Sequence, residues 1–147
     1  MAAVSPRSGP LAHEPLSGPA GCIIVTGGAS GIGRAVVDLV LERRHDVRLG
    51  LLDIDGDSLS AVQTDHPDRV DAAVCDVSDR AAVGAAVERV AGGLPIVGLV
   101  AAAGTLHNRA SVELDESDWN SVLGVHLDGA LWAAQAVARS MISHGRG

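Results

Sequence analysis

A run of small residues early in the chain has the composition of an anion-binding turn. The stretch 26–33, Thr-Gly-Gly-Ala-Ser-Gly-Ile-Gly, follows the apolar run 22–25 and opens a helical pattern. Gly27 and Gly31 permit backbone angles and close approaches that a side chain would block, and Gly33 lets the helix pack closely on the strands below. Free N–H groups and the helix dipole at such a start favour an anion. The stretch therefore predicts a diphosphate site, with a ligand-free tight turn as the alternative.

A carboxylate follows this turn at an informative distance. Asp53 lies about 20 positions further on, at the end of the second apolar run, 47–52. A carboxylate at this place can accept hydrogen bonds from both ribose hydroxyls of an adenosine, and it would repel a 2′-phosphate. We therefore expect NAD as the cofactor, with NADP disfavoured. A solvated aspartate that closes a strand is the alternative.

Strand-like and helix-like patterns alternate from residue 22 onward. The apolar runs are continuous, as expected for strands with both sheet faces covered. Alternation with right-handed crossovers predicts an α/β fold with a doubly wound parallel sheet, strand order 3-2-1-4, and a ligand at the switch between strands 1 and 4. The predicted strands are 22–26, 47–53, 70–75 and 96–102, and the predicted helices are 31–44, 57–65, 79–91 and 117–143. The predicted helix caps are Asp57 or Ser58, and Ser117 or Asp118.

Composition excludes several classes of protein. A chain of 147 residues forms one domain at most, and a net charge of −7 argues against a nucleic-acid surface. No apolar run approaches the roughly 18 residues of a membrane helix. Cys22 and Cys75 lack metal-ligand spacing, so we expect no metal site but reduced, buried thiols and a cytoplasmic protein. Residues 1–20 hold four of the six prolines and are expected to be a disordered extension of a domain at 21–147.

The spacing Thr-Gly-x-x-x-Gly-x-Gly resembles the fingerprint of the short-chain dehydrogenase/reductase (SDR) family, whose domain is a Rossmann fold. Asp76-Val77 resembles the family's Asp-Val pair, which contacts adenine. The block 99–104 resembles the strand-4 block Asn-Asn-Ala-Gly, although alanines stand at both asparagine positions. The block 125–129 resembles Val-Asn-Leu-x-Gly. The resemblance implies cofactor contacts at Gly27, Ser30, Gly31, Ile32, Gly33, Asp53, Asp76, Val77, Ala103 and Gly104.

His126 stands where the family usually has the asparagine of Val-Asn-Leu-x-Gly, which helps to hold a water in a proton relay. Histidine also hydrogen-bonds water and titrates near neutral pH. The resemblance therefore implies a relay role for His126, and a packed helix histidine is the alternative. Arg109 follows strand 4, where the fold borders the substrate pocket. It could pair with a substrate carboxylate or phosphate, or it could be solvated.

The residues that perform catalysis in this family have no counterpart here. The family uses a serine placed after strand 5 and a Tyr-x-x-x-Lys pair on the next helix, whereas the 147 residues contain no tyrosine and no lysine. The resemblance implies the cofactor-binding part of an NAD-dependent oxidoreductase, truncated before strand 5. The complete protein would transfer hydride between NAD(H) and an alcohol or ketone. It also implies a homo-oligomer, while the net charge and the short apolar runs predict no nucleic-acid or membrane partner. A non-catalytic nucleotide-binding or interaction module is the alternative.

Overall fold

Four strands and five helices alternate through the described part of the chain, residues 21–145 of a computed structural model. The predictions for residues 1–20 and for the last two positions lie outside the described residues. The elements are β1 Gly21–Thr26, α1 Gly31–Arg43, β2 Val47–Asp53, α2 Gly56–Asp65, β3 Val70–Val74, α3 Arg80–Ala91, β4 Ile96–Ala101, α4 Glu116–Leu123 and α5 Gly129–His144. A 3-10 turn, Ser111–Glu113, precedes α4, and a π-helical turn, Gly124–Asp128, joins α4 to α5.

The four strands form one parallel sheet in the order β3-β2-β1-β4, which confirms the predicted α/β, doubly wound architecture. β1 therefore pairs with β2 on one side and with β4 on the other. The chain runs outward from β1 in one direction through β2 and β3, and then returns to β4 on the other side. A crevice is expected at the carboxyl ends of β1 and β4, where the strand order reverses.

The core consists of two apolar layers, one on each face of the sheet. Ile24 and Leu52 point into the layer under α3 and α5, while Val25 and Leu51 point into the layer under α1 and α2. All four side chains are completely buried. Burial of each contributes roughly 1.5–3 kcal/mol of hydrophobic stabilisation. Coverage of both faces explains why the strands are continuous apolar runs.

The helix starts differ from the predicted caps by a few residues. α2 begins at Gly56, and its cap is Asp55, which accepts a hydrogen bond from the Ser58 N–H at 3.0 Å. α4 begins at Glu116, where Asp115 and Asp118 form a reciprocal capping box. The predicted caps at Asp57 or Ser58 and at Ser117 are therefore wrong, because an aspartate further upstream can reach the N–H three residues ahead.

The predicted long helix 117–143 is interrupted. The π-helical turn holds one residue more per turn than an α-helix and changes the face that each later residue presents. Gly129, Ala133 and Val137 are buried, whereas Trp119, in α4 before the turn, is 59% exposed. A Cβ at Gly129 would lie 2.7 Å from Cγ2 of Val77, so the glycine lets α5 begin directly over that side chain.

β4 pairs with a neighbour on one side only within the described residues. Its outward N–H and C=O groups form an exposed sheet edge, and Val97, Leu99 and Val100 are only half-buried. A row of such groups is a template for pairing with another strand.

We therefore predict that the 147-residue chain self-associates as its concentration rises. Sedimentation-velocity measurements over a concentration series should show a mass that increases with protein concentration. A single monomeric species at every concentration would contradict this prediction.

A matched pair of glycines tests the packing of α1. A Cβ at Gly33 would lie 2.0 Å from the carbonyl oxygen of Gly27, whereas a Cβ at Gly84, inside α3, would meet nothing within 4 Å. Gly33→Ala should lower the free energy of unfolding by about 1–3 kcal/mol or more, since helix and turn must separate. Gly84→Ala should raise it by roughly 0.5–1 kcal/mol, because helix interiors favour alanine. Urea denaturation measures both; equal effects would refute the packing argument.

Candidate cofactor-binding site

A cavity of about 770 Å³ opens at the carboxyl ends of the strands. It brings together nine of the ten residues that the sequence predicts for cofactor binding. These nine are Gly27, Ser30, Gly31, Ile32, Asp53, Asp76, Val77, Ala103 and Gly104. The tenth, Gly33, does not line the cavity; it is buried beneath the turn, against the carbonyl oxygen of Gly27. Four separate loops of the fold therefore converge on this crevice.

The glycine turn requires its glycines at two positions for different reasons. Gly27 has φ +70°, and a Cβ there would lie 2.7 Å from the backbone nitrogen of Ala103. Gly31 has φ +55° and open space around it, so its backbone angle alone favours glycine. The turn consequently lies flat against the end of β4 on one side and opens to the cavity on the other.

The start of α1 is left uncapped. Ser30 is the N-cap residue but makes no side-chain cap hydrogen bond, and the first turn holds no acidic residue. By contrast, α2, α3 and α4 begin with the capping aspartates Asp55, Asp79 and Asp115. The N–H groups of the first turn of α1 and the positive end of its dipole are thus available at the cavity. This arrangement suits a phosphate group.

Asp53 ends β2 and faces the glycine turn. Its Oδ2 accepts a hydrogen bond from the Ala29 N–H at 3.0 Å, and its Oδ1 accepts one from the Asp55 N–H at 3.1 Å. A carboxylate has about four acceptor positions, so two bonds leave it free to accept from a ligand hydroxyl. The contact with Ala29 also fixes the turn to the end of β2, a link that the sequence does not reveal.

Asp76 and Val77 follow β3 at the next corner of the cavity. The Ser78 O–H donates to Asp76 Oδ1 at 2.7 Å, and the Ser78 N–H donates to the same atom at 2.9 Å. The bond from the hydroxyl has the larger effect and the bond from the N–H the smaller, and both lower the pKa of Asp76. Val77, the next residue, is buried and lines the cavity. The corner therefore presents an ionised carboxylate beside an apolar side chain.

The charge of the cavity is one-sided. Asp53, Asp55 and Asp76 line it, and within the described chain no arginine lines it. Hydrogen bonds from the Ser58 N–H and O–H lower the pKa of Asp55 as well. A ligand in this cavity would meet positive potential at the start of α1 and carboxylates elsewhere.

Thr26 joins the glycine turn to the end of β4. Its Oγ1 accepts a hydrogen bond from the Ala103 N–H at 3.3 Å, and its carbonyl oxygen accepts one from the Ala102 N–H at 3.1 Å. The side chain is 2% exposed. The sequence analysis included Thr26 in the fingerprint but assigned it no role. The signal that could have indicated this link is a polar residue at the end of an otherwise apolar strand.

His126 lies in the π-helical turn and does not line the cavity. Its Nε2 is 2.7 Å from the carbonyl oxygen of Thr105 and 3.1 Å from the Thr105 nitrogen. A Cβ at Gly104 would lie 2.8 Å from Cε1 of the imidazole. His126 thus fixes the loop that follows β4, and its role in a proton relay stays a prediction.

The side of the cavity between β4 and α4 is a polar wall formed by Thr105, His107, Asn120 and Ser121. The sequence analysis expected the loop after strand 4 to border the substrate pocket but assigned a role to none of these four residues. His107 Nε2 lies 2.7 Å from Ser121 Oγ, and its Nδ1 lies 3.7 Å from Asp118 Oδ1. The order of groups is that of a serine-hydrolase triad, but 3.7 Å is too long for a hydrogen bond.

Arg109 contributes no free charge to this wall. Its Nη1 donates to Oδ2 of Asp118 at 2.9 Å, and Asp118 is largely buried. The guanidinium of Arg109, which the sequence analysis considered as a partner for an anionic substrate, is therefore already paired with the buried carboxylate of Asp118.

Residues 21–145 contain neither a candidate metal site nor a candidate membrane-spanning helix. That part of the chain holds no group of three or more histidine, cysteine, aspartate or glutamate side chains placed to bind a metal ion. None of its helices combines the length and apolarity needed to cross a bilayer. Cys22 and Cys75 are unpaired and buried, as predicted, and burial raises the pKa of the Cys22 thiol to about 11.

The Ser78–Asp76 contact gives a test by pH. A carboxylate with a lowered pKa stabilises the fold above its ordinary value of 3.8 and loses that contribution as the pH falls through the lowered value. Ser78→Ala should raise the pKa of Asp76 and make stability less dependent on pH below 3.8. NMR titration of the carboxyl carbon measures the pKa, with Ser60→Ala in α2 as the control. An unchanged Asp76 titration would contradict the assignment.

The chain is similar in sequence to several characterised dehydrogenases. The chain is 32% identical over 127 residues to galactitol 2-dehydrogenase (L-tagatose-forming) of Cereibacter sphaeroides, covering 86% of this chain and 49% of that protein. It is 34% identical over 128 residues to 2-dehydro-3-deoxy-L-rhamnonate dehydrogenase (NAD(+)) of a Sphingomonas species, covering 86% and 50%. The chain therefore spans about half the length of these curated relatives.

Solved structures share the fold. A short-chain dehydrogenase/reductase from Brucella melitensis superposes with a TM-score of 0.74 at 25% identity, covering 83% of this chain and 52% of that one. One from Burkholderia phymatum, solved in complex with NAD, gives a TM-score of 0.78 at 23% identity, covering 88% and 47%. The family model described as short chain dehydrogenase matches residues 21–147. The chain belongs to the short-chain dehydrogenase family.

Proposed function

We propose that the cavity binds NAD(H) and that this chain is the cofactor-binding part of an NAD-linked oxidoreductase. The observation that carries the proposal is that the uncapped start of α1 and Asp53 line the same cavity. The first feature supplies N–H donors for a diphosphate, and the second supplies acceptors for a ribose. Together they would supply both kinds of contact that a dinucleotide needs.

Each part of the cofactor has a matching surface. The N–H groups at the start of α1 would hold the diphosphate, and Asp53 would hold the adenosine ribose. Asp76 and Val77 would border the adenine, while the small residues Ala103 and Gly104 would leave room for the nicotinamide half. When bound, the nicotinamide ring supplies the hydride acceptor or donor. The carboxylates along the cavity favour NAD over NADP, because a 2′-phosphate would add negative charge beside them.

The reaction class follows from the family. The relatives named above are dehydrogenases, so we infer transfer of hydride between NAD(H) and an alcohol or carbonyl substrate. The 147 residues contain neither tyrosine nor lysine. The tyrosine and lysine that the family resemblance implies for proton transfer would therefore lie outside these 147 residues. Reading the coding DNA beyond codon 147 tests this point, and a downstream frame lacking Tyr-x-x-x-Lys would count against it.

The missing tyrosine and lysine also favour a second candidate, a nucleotide-binding module without catalysis. Both candidates predict binding of NAD by the chain and no oxidation of an alcohol by it alone. They differ in the effect of adding the downstream segment, which should create alcohol-dependent formation of NADH only under the first.

Two further features of the whole protein are proposals. We propose a homo-oligomer, supported by large apolar side chains that remain exposed on α4, the π-helical turn and α5, namely Trp119, Leu127, Leu131 and Ile142. We also propose a cytoplasmic location, supported by the two free thiols.

Calorimetry with NAD on the 147-residue chain tests the cofactor site. NAD should bind, and NADP should bind roughly ten-fold more weakly. Asp53→Asn should weaken NAD roughly ten-fold, because it removes a charged acceptor, and should narrow the difference between the two cofactors. Asp57→Asn, on the exposed first turn of α2, is the matched control and should change neither affinity. No heat at millimolar NAD would refute the proposal.

A further inference from the structure

The polar wall consists of groups that both donate and accept hydrogen bonds. Hydroxyl, amide and neutral imidazole side chains each offer a donor and an acceptor. A ligand covered with hydroxyl groups has the same dual character, whereas a ketone or thioester oxygen only accepts. The wall also lies between the loop after β4 and α4, next to the residues assigned to the nicotinamide half of the cofactor.

His107 and Ser121 form a pair whose positions are set before any ligand arrives. Nε2 of His107 lies 2.7 Å from Oγ of Ser121, and that oxygen also lies 2.9 Å from the carbonyl oxygen of Asp118. Oδ1 of Asp118 lies 3.7 Å from Nδ1 on the far side of the imidazole. Groups held in this way lose less freedom when they bind a ligand.

The charge of the surroundings narrows the ligand further. Arg109, in the same loop as His107, already donates to the buried carboxylate of Asp118 at 2.9 Å. The cavity itself carries carboxylates and, in residues 21–145, no lining arginine. A phosphorylated or carboxylated substrate would therefore meet no free cation at this wall, and its desolvation would go uncompensated.

We propose that the polar wall binds a neutral polyol, a small molecule with several hydroxyl groups, through His107 and Ser121. The proposal rests on the proposed function, since the polyol would be the alcohol that gives its hydride to NAD. It excludes an anionic substrate and an acyl thioester as the preferred ligand of this wall.

Saturation-transfer NMR on the 147-residue chain, saturated with NAD, tests the proposal. The probes are sorbitol, sorbitol 6-phosphate and the N-acetylcysteamine thioester of acetoacetate. Sorbitol should show saturation transfer with the lowest Kd of the three. Ser121→Ala and His107→Ala should each raise its Kd about five-fold, the effect of one lost neutral hydrogen bond. Ser143→Ala and His45→Ala, at exposed positions outside the cavity, should leave it unchanged.

The possible outcomes distinguish failure of the polyol proposal from failure of the proposed NAD-binding function. Failure of NAD to bind would overturn both. Binding of NAD without binding of sorbitol, or with tighter binding of the phosphate or the thioester, would overturn the polyol assignment alone. A Kd for sorbitol that is the same in the wild type and in both variants, Ser121→Ala and His107→Ala, would also overturn the polyol assignment. Retained NAD affinity in each variant shows that the variant is folded.

Discussion

The close approach of backbone to backbone at Gly27 is the constraint on which the site depends. The carbonyl oxygen of this residue lies under Gly33, and its α-carbon lies against Ala102 and Ala103. The first contact brings α1 down onto the sheet, and the second brings the end of β4 alongside the turn. The first contact needs the absence of a side chain at Gly33 and the second needs it at Gly27, so these two glycines determine how α1 and β4 meet the turn. The crevice between β1 and β4 is the space that this contact leaves open.

Electrostatics then divides the crevice into regions of opposite character. Most described helices that begin after a strand start with an aspartate cap, which neutralises the first N–H groups. The start of α1 lacks one, so positive potential remains where the diphosphate would lie. Asp53 and Asp76 stand at the ends of the neighbouring strands, each with its carboxylate held by local N–H donors. A ligand with an anionic middle and hydroxylated ends matches this distribution.

Much of the framework could be predicted because it depends on local sequence. Continuous apolar runs gave the strands to within about a residue, and the strand–helix alternation gave the sheet order. The glycine spacing and Asp53 located the crevice. The rest depends on contacts between distant residues. The Asp53–Ala29 hydrogen bond, the Thr26–Ala103 link and the His107–Ser121 pair leave no periodic pattern, since each joins loops that only the folded sheet brings together.

The two asparagines that the family usually carries at the end of strand 4 are alanines here, and the structure shows what remains in their place. These positions are Ala101 and Ala102: Ala101 pairs with Thr26 at the end of β4, and the Ala102 N–H donates to the carbonyl oxygen of Thr26. Backbone hydrogen bonds need no particular side chain, so the connection between β1 and β4 persists with the smallest chiral residues.

The π-helical turn between α4 and α5 has a consequence for the evolution of this segment. Loss of one residue from Gly124–Asp128 would turn the bulge into ordinary α-helix and leave Gly129, Ala133 and Val137 facing the sheet, because the π-helical turn accommodates one extra residue. Loss of one residue from within α5 would instead rotate every later residue by about 100°. A single-codon deletion therefore preserves the core contacts of the remaining helix at the bulge and disrupts them within α5.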